Sequence, residues 1–93
     1  MASEENTDRL IQDLRGQISD NDRAIVRALN KRLELVARLK RHKEAQGIEF
    51  VDPQQEKSLL RDLSRANRGP LTEEGLHGLY REILDLTKRE LDG

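Results

Sequence analysis

Residues Asn6–Gln46 read NTDRLIQDLRGQISDNDRAIVRALNKRLELVARLKRHKEAQ, a stretch with no proline and a single glycine, Gly16. Within it Ile11, Leu14, Ile18, Ile25, Leu29, Val36 and Leu39 recur at spacings of three, four and seven, the period of one helical face. The pattern predicts one long helix over about 6–46. At 1.5 Å per residue, forty residues span roughly 60 Å, about twice the diameter of a compact domain of this size. Such a rod cannot be covered by its own chain.

Outward from this segment the punctuation is clear. Gly47 offers a helix stop, and Ile48-Glu49-Phe50-Val51 reads as a short extended link. Asp52-Pro53 follows as an N-cap and first-turn proline, with Gln55 placed for a capping box, and it opens a second helix over about 53–67 whose buried stripe is Leu59, Leu60 and Leu63. Arg68-Gly69-Pro70 is a turn. Thr72 can cap a third helix over about 73–91, with Leu76, Leu79, Tyr80, Ile83, Leu84 and Leu91 on its apolar face. The expectation is a single all-α domain spanning 1–93, one long helix and two shorter ones.

Composition agrees. Ala, Glu, Lys, Leu and Arg make up about half of the 93 residues, and Leu alone supplies fifteen. Strand-favouring residues are scarce, with three Val, one Tyr, one Phe and no Trp. Only 34% of the chain is hydrophobic against 38% charged, so a lone protomer has too little apolar surface to offset its chain entropy, and a partner subunit is the natural remedy. The absence of cysteine removes thiolate metal sites, zinc fingers and a Cys nucleophile. No apolar run exceeds three residues and the N-terminus is acidic, so neither a membrane span nor a secretory signal is read, and a cytoplasmic protein is expected. Seventeen Lys and Arg interleave with eighteen Asp and Glu, which is not the footprint of a nucleic-acid binder.

The long helix breaks its own pattern at informative places. The sevenfold step Ile11, Ile18, Ile25 leads to Arg32 and then Leu39, while Leu29 and Val36 lead forward to Lys43 and back through Asp22 to Arg15. Taken singly, each cation could run its methylenes over apolar neighbours and put its charge in water. Together they form a set. Arg32 and Lys43 lie about three turns apart and can converge on a small anion, whereas Arg15 is about 25 Å from Arg32 along a straight rod. It joins them only if a second copy of the helix runs antiparallel alongside. With the crossing near Val26, Arg15 of one chain stands opposite position 37 of the other, between Arg32 and Lys43, so an intertwined antiparallel homodimer builds two identical cationic pockets. Asp52 and Glu56, at i and i+4, share a face at the start of the second helix. Asp52 reads equally as an N-cap or as a ligand group, and Glu56 as a solvated first-turn acid or as an acceptor for a ligand hydroxyl.

In this order the segments Leu14-Arg15-x-x-Ile18, Asp22, Asn30-Lys31-Arg32-x-Glu34-Leu35, Lys43, Asp52-Pro53-x-x-Glu56, Asn67-Arg68-Gly69-Pro70-Leu71 and Tyr80-Arg81-Glu82-Ile83 resemble the AroQ-type chorismate mutases, from Leu10 to Leu91. The resemblance implies an intertwined helical dimer that rearranges chorismate to prephenate in aromatic amino acid biosynthesis, with no metal or cofactor. It implies that Arg15 of the neighbouring chain and Arg32 hold the two carboxylates, that Lys43 donates to the ether oxygen, and that Asp52 and Glu56 contact the ring hydroxyl. Thr87 stands where the family commonly places Ser. Two positions depart: Gln55 occupies the place of a usual Arg, and Leu91 that of a Gln or Glu opposite the lysine, unless the third helix is shifted by one and Glu90 takes that role. Losing one preorganised donor typically costs about 3 kcal/mol of transition-state stabilisation. A slow mutase is one consequence. Other readings are a non-catalytic helical dimer acting as an interaction module, or the same scaffold acting on isochorismate as a pyruvate lyase or on an aminochorismate. His42 and His77 are expected at the surface, outside the chemistry.

Overall fold

In the computed structural model, residues 2–92 are described, with side chains from Thr7, and they form three helices and no strand: α1 (Ala2–Ala45), α2 (Pro53–Ala66) and α3 (Glu73–Asp92). α1 starts earlier than residue 6, and α2 stops one residue short of Asn67, which is its C-cap. The chain divides into two units, residues 1–34 and 35–93.

The first unit is the N-terminal part of α1. From Thr7 to Ala28 every described side chain is exposed, including the apolar seam: Leu10 is 57% exposed, Ile18 60% and Val26 57%. Leu29, Arg32 and Leu33 are half-buried. Arg23 and Asp20 pair at 3.0 Å in full solvent, a contact of little energetic weight.

The second unit holds the end of α1, the link, α2 and α3. α1 ends where Gly47 takes φ +70, a left-handed conformation that costs a side-chain-bearing residue about 1 kcal/mol or more. This bend lets the Ile48 N–H donate to the Lys43 carbonyl at 2.8 Å and the Gly47 N–H to the Glu44 carbonyl at 3.2 Å, so the last carbonyls of the helix stay partnered. Residues 48–51 connect without regular structure. Lys40 fastens this end of α1 to the C-terminus of α3: its ammonium donates to the Leu91 carbonyl at 2.9 Å, lies 3.6 Å from an Asp92 carboxylate oxygen, and sits 5.7 Å from the Phe50 ring centre.

α2 begins as its sequence dictates. The Asp52 carboxylate accepts the Gln54 and Gln55 N–H groups at 3.1 and 3.3 Å, and Pro53 occupies the first turn, where no N–H is needed. The reciprocal half of a capping box is not formed among the described residues, and the Gln55 side chain is exposed. The expected buried stripe on α2 is corrected: Leu59, Leu60 and Leu63 are only half-buried, and α2 has no buried residue. One neighbouring helix, α3, can shield only part of an amphipathic face.

The corner between α2 and α3 is built around Asn67. Its N–H donates to the Leu63 carbonyl at 2.9 Å, its amide nitrogen donates to the Leu71 carbonyl at 2.8 Å, and its amide oxygen accepts the Gly69 N–H at 3.0 Å. Gly69, at φ +76, supplies the second left-handed residue. Thr72 then caps α3, its hydroxyl accepting the Gly75 N–H at 3.0 Å. A Cβ on Gly75 would come within 3.0 Å of Leu71 Cδ1 and 3.1 Å of the Thr72 hydroxyl, so the cap closes on a residue without a side chain. Across the described residues only Leu76 and Thr87 are buried, both on α3.

Asn67→Ala removes two side-chain hydrogen bonds from this corner. It is expected to lower unfolding free energy by about 1–2 kcal/mol in urea titrations at fixed protein concentration, with the helical circular dichroism signal retained in the absence of denaturant.

Candidate functional site

The two units each carry part of the residue set singled out from sequence. In the first, Arg15 is exposed and Arg32 half-buried, both on α1. The remaining candidates, Lys43, Asp52, Gln55, Glu56 and Thr87, belong to the second unit.

Lys43 lies in the last turn of α1, half-buried, and its ammonium reaches the Phe50 carbonyl at 3.4 Å. The link that follows α1 therefore folds back over the lysine, orienting a cation that the sequence alone leaves free to rotate. Asp52, exposed, is committed to the N-cap through one carboxylate oxygen, Oδ1. A carboxylate has room for further partners, so capping and ligand contact are compatible roles for it.

Glu56 departs from the simple solvated acid. It is half-buried one turn into α2, and its Oε1 lies 3.4 Å from the ammonium of Lys88 on α3. Lys88 was not among the residues singled out from sequence. The side chains of Lys88 and Glu56 remain 43% and 36% exposed, so the pair adds at most about 1 kcal/mol to stability. Its more important effect is positional, because it ties the start of α2 to the last third of α3 beside Thr87.

Thr87 is buried, and its hydroxyl donates to the Ile83 carbonyl at 2.7 Å, the back-bond by which threonine sits within a helix. Four residues on, Leu91 is half-buried on the same side of α3, whereas Glu90 is exposed. Leu91, rather than Glu90, shares the Thr87 face.

The expectation for His77 is corrected. His42 is exposed, but His77 is half-buried with Nε2 3.0 Å from the Ser64 hydroxyl, joining α3 to α2. It follows the buried Leu76 on the helix face turned toward α2, which is where a partly apolar ring with one polar atom fits. Ser64 and His77 also border an open groove of about 270 Å³ with Leu60, Arg61, Arg65 and Glu73. The groove shares no residue with the candidate set.

Chemically, the second unit carries an ammonium oriented by the Phe50 carbonyl, two carboxylates at the start of α2 and a buried hydroxyl on α3. Among the described residues, no helix is long and apolar enough to cross a membrane.

Comparison with known proteins agrees with the resemblance seen in the sequence. The profile of the family described as chorismate mutase type II matches residues 14–90. No curated protein and no solved structure matches the chain.

The dual position of Asp52 yields a test. Asp52→Asn keeps a competent N-cap and is expected to hold the melting temperature within about 2 °C, whereas Asp52→Ala loses the cap and about 1 kcal/mol, read by thermal unfolding.

Proposed function

The chain belongs to the chorismate mutase type II family, and we propose that it catalyses the rearrangement of chorismate to prephenate in the cytoplasm, as part of aromatic amino acid synthesis. The match over residues 14–90 carries this assignment. It is supported by the presence of Arg15, Arg32, Lys43, Asp52 and Glu56 at the positions of the family pattern.

In this assignment the protein works as an antiparallel homodimer. The exposed seam of α1 supports the pairing: Leu10, Ile11, Leu14, Ile18, Ile25 and Val26 are each at least two-fifths exposed in a single chain. Covering them against a second copy, at about 1 kcal/mol per half-exposed side chain, gives several kilocalories per protomer. Pairing would also bring Arg15 of one protomer to the Arg32 and Lys43 of the other.

The reaction is unimolecular and requires neither proton transfer nor a covalent intermediate. Chorismate is an extended dianion whose enolpyruvyl arm must fold over the ring before bonds can change. Arg15 of one chain and Arg32 of the other pin the two carboxylates and restrict the substrate to that conformer. As the ether C–O bond breaks, negative charge builds on its oxygen, and the Lys43 ammonium stabilises it more strongly in the transition state than in the ground state. Asp52 and Glu56 accept from the ring hydroxyl, and Thr87 lines the same site. Gln55 donates a neutral hydrogen bond where the family pattern has a cation, and Leu91 offers no polar group toward the ether oxygen.

These two departures favour one second reading, a related substrate such as isochorismate or an aminochorismate handled by the same cations. Incubating purified protein separately with chorismate and with isochorismate, following substrate loss by absorbance and identifying the product, tests both. Prephenate supports the mutase, pyruvate release from isochorismate the alternative, and neither turnover nor binding would leave a helical interaction module.

Two measurements probe the shared site. Sizing by light scattering is expected to give twice the 10.7 kDa chain mass. Arg15→Ala and Lys43→Ala are each expected to lower kcat/KM by at least a hundredfold, yet equal amounts unfolded and refolded together should recover about a quarter of wild-type sites, since half the dimers are mixed and each mixed dimer has one intact pocket. A mixture as inactive as its parents would show that the sites are not shared.

A further inference from the structure

Lys88 has no assignment in the proposed chemistry, yet its ammonium lies 3.4 Å from Glu56, the residue next to the anomalous Gln55. Resting on the chorismate assignment above, the charges of the site can be compared. The substrate brings two negative charges, and Asp52 and Glu56 bring two more. Arg15, Arg32 and Lys43 answer with three, and Gln55 leaves the fourth place neutral. Bringing a dianion against two carboxylates with a positive charge missing is unfavourable, because like charges in a partly desolvated site raise each other's free energy.

We propose that Lys88 is the positioning residue that supplies this fourth positive charge from α3. By its pairing with Glu56 it neutralises and orients the carboxylate that receives the ring hydroxyl, and it offsets the repulsion that Glu56 would otherwise exert on the incoming dianion. The compensation crosses from one helix to another: the cation absent at position 55 on α2 is returned at position 88 on α3, on the neighbouring side chain to Thr87. The partial exposure of the pair fits this role, since a flexible ammonium near solvent can follow the carboxylate as substrate enters.

The test compares wild type, Lys88→Met, Lys88→Gln, Lys88→Arg and the double variant Gln55→Arg/Lys88→Met in steady-state turnover of chorismate, each checked for helical circular dichroism. The charge deletions are expected to raise KM about tenfold with kcat changed less than threefold, the pattern of lost ground-state and transition-state binding alike. Lys88→Arg keeps KM within threefold, and Gln55→Arg restores the Lys88→Met enzyme to within threefold of wild type. A purely structural ion pair would change melting temperature but not KM, and arginine at 55 would not correct it. KM within twofold of wild type for both Lys88→Met and Lys88→Gln, in an active wild-type background, overturns the role of Lys88 alone. A wild type that binds and turns over no chorismate overturns the functional assignment together with it.

Discussion

The apolar seam along α1 is the constraint to which everything else answers. A helix that carries Leu10, Ile11, Leu14, Ile18, Ile25 and Val26 on a face its own chain leaves exposed cannot be explained as the core of a lone protomer. The same helix interleaves Arg15, Arg32 and Lys43 with that seam, so any partner that covers the hydrocarbon also confronts the cations. In the proposed dimer, folding and ligand binding would draw on the same helix. Under that proposal, a chain of 93 residues with little interior gains a charged site from the same pairing that covers its seam.

The chemistry proposed for that site suits its material. Without cysteine the chain has no thiolate, and the family's reaction asks for no nucleophile. What it asks for is a substrate held in one conformer and a positive charge where negative charge develops. Helices provide this well, since side chains fixed on rigid elements lose little geometry when the substrate arrives.

Much of the local structure was legible in the sequence because it is encoded by neighbours. Asp52 before Pro53, Thr72 before Glu73-Glu74 and Gly47 after a long uninterrupted period each act within one turn, and their chemistry is the same in any context. The pairings between elements were not legible. Nothing in the spacing of Glu56 and Lys88, of Ser64 and His77, or of Lys40 and Leu91 announces a contact, because the pairs are separated by thirteen to fifty-one residues and depend on how helices rotate against each other. The depth of burial is not encoded in the spacing either. Leu59, Leu60 and Leu63 have the periodicity of a buried face, but periodicity records which side of a helix is apolar and not how much covers it. The family profile over residues 14–90 falls within the span, Leu10 to Leu91, whose motif order carries the resemblance.

The clasp at Asn67 has a consequence for how this chain can vary. One amide side chain holds the end of α2 and the approach to α3 at a fixed separation, with Gly69 and Gly75 accepting no bulk in their conformations or surroundings. Lengthening this hinge by a single residue would break the Asn67 hydrogen bonds that set how α3 meets α2, the geometry on which the contact of Lys88 with Glu56 depends. Evolutionary drift and laboratory engineering alike should therefore find the elbow among the least forgiving places to alter loop length, even though it is solvent-facing and far in sequence from the guanidiniums.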